Sequence, residues 1–209
     1  MRKLIIICIL GIFPMQTFAG NELWNDMGAV TKINADTTLS LKLGQKLTSF
    51  KTLYFYDFKP YAKYTISDLF DAIGGYRLER VKTTKWGTQN RLEGGVGIKW
   101  TLADFSFNDA NQFEVIFPPS GSSATNYKNK LAVGYGFKIA DQSIKLSLWD
   151  ELYFGLNKSE FNRNRLTFSA ATPIIQGLDL TLGYLYEKRK AGASWIGTNV
   201  LLTDLTYSL

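Results

Sequence analysis

The sequence predicts an all-β chain, specifically a transmembrane antiparallel β-barrel of about 10–12 strands. Three observations lead there. The chain opens on an export signal, almost everything after it alternates with period two, and no stretch carries a helical stripe. With 209 residues it has the length of a single domain. Hydrophobic residues make up 45% and charged residues 20%, which suits neither a disordered chain nor a bundle of membrane helices.

Residues 1–19 read as a signal peptide. Arg2 and Lys3 form a basic start, Leu4 to Phe13 an apolar core, and Thr17-Phe18-Ala19 a small-residue cleavage site. The apolar run falls short of the roughly 20 residues that a spanning helix needs. Cleavage after Ala19 leaves residues 20–209 as an outer-membrane β-barrel domain and removes Cys8, the only cysteine. Disulfides, thiol chemistry and Cys-based metal sites are then excluded. The remaining balance of 22 Lys and Arg against 18 Asp and Glu is too mild to imply nucleic acid as a partner.

Each segment of the mature chain is justified by the direction of its side chains. Leu39, Leu41, Leu43 and Leu47 share one strand face, with Ser40, Lys42, Gly44 and Lys46 on the other. Leu92, Gly94, Val96, Ile98 and Trp100 oppose Arg91, Glu93, Gly95, Gly97 and Lys99. Leu131, Val133, Tyr135, Phe137 and Ile139 oppose Lys130, Ala132, Gly134, Gly136 and Lys138. The same holds over 178–187 and 201–209, and weaker strands fall near 22–33, 54–66, 70–80, 105–117, 143–154 and 163–172. Eleven segments result. Single-chain bacterial barrels have even strand counts, so the expectation is ten or twelve, with one segment split or merged.

Short connections at Ser67-Asp68, Ala140 to Gln142 and Pro173 to Gly177 are expected to alternate with longer ones at Val81 to Asn90, Pro118 to Asn126 and Gly155 to Asn162. A soluble sandwich or a lipocalin-like periplasmic carrier also alternates. Here, however, the polar face is rich in Gly, Ser, Thr and Ala with spaced charges, as a narrow barrel interior requires. Aromatics gather towards strand ends at Tyr54, Phe55, Tyr56, Trp100, Tyr127, Trp149, Tyr153, Phe154, Tyr184, Tyr186, Trp195 and Tyr207, where rings stand at the headgroup level of a bilayer. Unpaired backbone groups cost several kcal/mol each in hydrocarbon, so strands entering it close into a ring.

Several motifs are similar to those of a bacterial family known as domain of unknown function 2490, within the outer-membrane barrel superfamily. They are Trp24, Gly75-Tyr76-Arg77, Arg91-Leu92-Glu93, Asp150-Glu151-Leu152-Tyr153-Phe154, Asn164-Arg165-Leu166 and Gly183-Tyr184. The resemblance spans nearly all of the mature chain. It implies a barrel in the cell outer membrane of a Gram-negative bacterium and supplies no activity.

Alternation directs Arg77, Glu79, Arg91, Glu93, Lys99, Lys130, Lys138, Glu151, Arg165 and Glu187 to the lumen. Lys42, Lys46, Lys145, Arg163, Asp179 and Asp204 accompany them. One outcome is a cation-lined channel that favours anions. The other is a packed interior in which opposite charges pair and close the lumen. Glu151 and Arg165 face each other across one hairpin and are expected to form a structural ion pair.

The chain has no His, which excludes an imidazole base, a histidine ligand or a His switch. Asp150 and Glu151 point to opposite faces and cannot flank one substrate. Gly94-Gly95-Val96-Gly97 lacks the following helix of a phosphate loop. No enzyme activity, cofactor or metal site is expected. The partners expected are outer-membrane lipid, the barrel assembly machinery during insertion, and a small solute if the lumen is open. The leading functional expectation is a small passive channel, beside a structural or surface-interaction barrel with an occluded lumen.

Overall fold

The computed structural model describes residues 21–209, so the signal peptide expected over residues 1–19 lies outside the described residues. Eleven strands follow one another: β1 (Asn21–Lys32), β2 (Thr37–Thr48), β3 (Thr52–Thr65), β4 (Phe70–Lys82), β5 (Trp86–Leu102), β6 (Phe105–Phe117), β7 (Ala124–Ile139), β8 (Gln142–Gly155), β9 (Glu160–Ile175), β10 (Leu178–Ala191) and β11 (Ser194–Ser208). Each pairs antiparallel with its neighbour in sequence, and β1 pairs with β11 to close the ring. That last pairing is parallel, with Asn21 opposite Asn199 and Val30 opposite Ser208.

The strand count is therefore odd, which corrects the expectation of an even number. All eleven segments in the sequence are separate strands. With an odd count the first and last strands run the same way, and only a parallel seam can satisfy their edges. One rim, called here the N-rim, holds the start of β1 and the turns β2–β3, β4–β5, β6–β7, β8–β9 and β10–β11. The C-rim holds the end of β11 and the other five turns.

The expected contrast between short and long connections is also corrected. Strand pairing continues into the segments taken for loops, so 81–90 shrinks to a turn at 83–85 and 155–162 to one at 156–159. Only 118–123, with two prolines at its start, stays open for six residues. β9 runs on through Pro173, and the register shifts where Leu178 and Asp179 face it. A residue without an N–H is tolerated at such an irregularity.

Alternation sets the two faces of the wall. Leu41, Leu43, Leu92, Leu131, Leu148 and Leu166 point outward and stay 42–57% exposed. Their sequence neighbours turn inward, and most of the buried inward side chains are polar or charged, among them Asp57, Glu79, Arg91, Glu93, Glu114 and Lys128. The molecule is polar inside and apolar outside, the reverse of a soluble carrier. A bulge adjusts this pattern in β3: Leu47 faces Leu53 and Lys46 faces Phe55, which leaves Tyr54 as the extra residue.

The odd count has a testable consequence. In a membrane, a peptide tag placed before Asn21 and another placed after Leu209 should lie on opposite sides. Protease added to intact cells is expected to remove one and to reach the other only after permeabilisation. Removal of both together would contradict the parallel seam.

Candidate functional site: an ion-paired interior

The centre of the barrel is built by β3–β7. Arg77 on β4 places Nη2 2.7 Å from Glu93 and Nη1 3.4 Å from Glu79. Arg91 on β5 lies directly opposite Arg77 in the register, and like charges so close demand carboxylates on both sides. Those are Glu79 at 3.1 Å and Glu114 at 2.9 Å. Lys128 on β7 closes the group at 3.5 Å from Glu93 and 3.4 Å from Glu114. Asp57 extends it towards Arg77 at 3.9 Å and Lys59 at 3.4 Å. Neutral side chains complete the shell: Tyr61 donates to Glu93 at 2.5 Å, and Gln89 donates to Glu79 at 2.5 Å.

A glycine makes this reach geometrically feasible. Gly75 stands opposite Tyr61, and a Cβ there would run into the tyrosine ring. Without that side chain the ring lies flat against the wall, and its hydroxyl receives a hydrogen bond from Arg77 at 3.1 Å while donating to Glu93. Glu79 and Glu114 are only 1% exposed.

A second group lies along β7–β10. Arg165 approaches Glu187 at 2.6 Å and Glu151 at 3.6 Å, and it donates to the Tyr153 hydroxyl at 2.9 Å. Glu151 and Arg165 are register partners on β8 and β9. Lys130 reaches Glu151 at 3.8 Å and lies over Trp149, and Arg163 reaches Glu187 at 3.9 Å. Trp24 is held between two cations, with Lys46 3.4 Å and Arg165 5.0 Å from its ring. The ring faces offset part of the positive excess around Glu187.

Of the residues that alternation directed inward, Arg77, Glu79, Arg91 and Glu93 meet in the first group. Lys130, Glu151, Arg165 and Glu187 meet in the second. Lys99 stands apart towards the C-rim, paired with Asp71 at 2.7 Å. Lys42 pairs with Asp204. Lys138, Lys145 and Asp179 lie exposed near the C-rim turns, away from both groups.

Four aromatics taken for the interfacial belt face inward instead. Tyr153 is 3% exposed between Arg165 and Glu151, Phe55 lies beneath Lys46, Trp149 beneath Lys130, and Tyr54 donates to Glu22. For Trp149 and Tyr153 the signal was present, because both share the parity of Glu151. Sequence reasoning also passed over Asp57, Glu114 and Lys128. Lys128 has the parity of Lys130, and Glu114 is a lone charge in the apolar run Phe113 to Phe117.

The arrangement neutralises buried charge. Among the described residues no cluster of three His, Cys, Asp or Glu side chains could hold a metal ion.

A closed β-barrel with an apolar outer wall and an ion-paired interior is the class of protein that these features define. Within that class, the family model described as "Protein of unknown function (DUF2490)" matches residues 21–196, and the chain belongs to that family. No curated protein matches the chain. Among solved structures, an anion-selective porin from Comamonas acidovorans is similar at 11% identity with a TM-score of 0.40. That match covers 83% of this chain and 53% of the porin, so the chain spans about half of the porin's length. At that level it bears on neither mechanism nor selectivity.

Two substitutions probe the interior. Arg91→Ala leaves Glu79 to Arg77 and Gln89 and Glu114 to Lys128 alone, and should destabilise the barrel by about 1.5–3 kcal/mol. Gly75→Val should cost about 1–3 kcal/mol by displacing Tyr61. Both are read as a lower temperature for the shift between folded and unfolded mobility in detergent gels. Mobility unchanged from the parent in Arg91→Ala would show that the ion pairs do not hold the barrel.

Proposed function

We propose that the chain is an integral outer-membrane β-barrel whose interior is closed by its own ion pairs, and that it serves as a structural or surface-interaction barrel rather than a standing pore. The observation that carries this reading is the near-complete burial of Glu79 and Glu114 at the centre of the lumen. A solute crossing there would have to separate Arg91 from both carboxylates, which leaves charges unpaired in a confined space.

The membrane part of the reading rests on the wall. Even the 12-residue β1 rises about 30 Å at about 3.3 Å per residue and a tilt of about 40°, enough to cross an apolar band about 25 Å tall. Outer-membrane lipid is then the wall's natural solvent, and the barrel assembly machinery its route of insertion. No catalytic role is proposed, since the interior presents paired charges and the chain has no His. A small passive channel is the second reading, favoured by Lys46 and Arg163, which exceed the carboxylates around Glu187.

Purified protein in a planar bilayer should stay silent at steady state. Arg91→Ala combined with Lys128→Ala, which removes two of the central cations and leaves Arg77, should raise conductance if the plug alone blocks the lumen. Steady conductance by the unaltered protein would favour the channel. Recovery in the aqueous phase without detergent would overturn the membrane reading itself.

A further inference from the structure

Most of the outer wall is apolar, and a connected run of polar side chains interrupts it where β6–β9 meet. Along β6 the outward residues run Phe105, Phe107, Asp109, Asn111, Phe113, Val115 and Phe117, so two polar side chains stand between aromatic ones on both sides. On β7 the run is Tyr127, Asn129 and Leu131, and on β8 it is Leu148, Asp150 and Leu152. Asn164 lies outward on β9 beside Leu166. The register makes these neighbours: Asn111 faces Asn129, Leu131 faces Asp150, and Leu152 faces Asn164.

Within this ridge Asn129 donates to Asp109 at 2.6 Å and to Asn111 at 3.1 Å, and Asn164 donates to Asp150. Amides thus hold both carboxylates in place, yet neither carboxylate has a Lys or Arg partner among the described residues. Carboxylates on a hydrocarbon-facing wall are costly unless something polar covers them.

Beside the ridge the same face is concave. A cleft of about 380 Å³ is lined by Leu152, Phe161, Asn164, Lys188 and Trp195. Lys188 faces Asn164 in the register and has no carboxylate partner among the described residues. The face therefore carries carboxylates on β6 and β8 and an outward lysine on β10.

Two copies inserted in the same direction can be related by a two-fold axis only if that axis runs along the membrane normal. Such an axis through β9 has β8 and β10 on either side of it, so each copy's Lys188 strand faces the other's Asp150 strand and one contact is made twice.

We propose that the outward face of β8–β10 is the contact surface for a second copy of this chain, with Lys188 of each copy meeting the Asp150 carboxylate of the other. The proposal rests on the membrane-barrel reading. It gives Asp150 a cation and Lys188 a carboxylate, neither of which has one within a single copy among the described residues.

The test uses the full chain in outer membranes. With Asp150→Cys and Lys188→Cys in one chain, mild oxidation should give a disulfide-linked dimer, about fivefold more than either single variant, since a disulfide needs Cα atoms within about 7 Å. Lys188→Asp should lower the dimer fraction measured in detergent, and adding Asp150→Lys should restore it. Monomer throughout, equal cross-linking by the single variants, or a monomer that carries tightly bound phospholipid lost in Lys188→Asp would each overturn the proposal. Membrane flotation of the same samples separates the two failures. Monomer that floats with membranes sinks the dimer alone, whereas protein left in the aqueous phase sinks the membrane reading as well.

Discussion

Charge confined inside a closed ring of strands is the constraint on which the rest of this structure depends. Closure removes every sheet edge but also crowds the inward side chains into one narrow space. A carboxylate there needs a cation, and a cation needs carboxylates. Arg77 and Arg91 stand opposite each other, and that is tolerable only because Glu79, Glu93 and Glu114 surround them. The same constraint explains two residues without charge. Gly75 leaves room for the Tyr61 ring, and Tyr153 bridges Arg165 and Glu151 with a single hydroxyl.

The outer wall follows from the same strands read at the other parity. Since successive side chains point to opposite faces, a residue chosen for the interior commits its neighbours to the exterior. Glu151 points inward and Asp150 therefore cannot. In most strands the outward neighbours are Leu, Val or an aromatic, but Asp109, Asn111, Asn129, Asp150 and Asn164 interrupt that pattern in one continuous region. A defect confined to one strand would be local; five residues linked by register and hydrogen bonds form a surface.

The seam between β1 and β11 adds a different kind of constraint. Both strands run from the N-rim, so their hydrogen bonds are slanted and the ends of the barrel domain are separated by the height of the wall. Side chains reinforce this junction on both faces. Thr203 bonds Asn25 outside, while Lys42 on β2 pairs with Asp204 on β11 inside, reaching across β1.

Much of the strand layout was legible in the sequence because alternation is a local property. The face of Leu43 or Leu131 follows from its immediate neighbours, as does the inward direction of Arg77, Glu93 and Lys130. Partnership was less legible, because register between strands is not written in either strand alone. That Lys128 sits between Glu93 and Glu114, or that Lys46 rests on Trp24, depends on how many strands close the ring and how they are staggered. Tyr54 and Phe55 show where alternation itself fails, since one bulge in β3 resets the parity. By itself the sequence determined strands, faces and an exterior fit for lipid, all set by bonds and angles within a few residues. Only closure in three dimensions decided the odd count, the parallel seam, the ion-paired interior and the polar break in the wall, because each joins residues brought together by the ring alone.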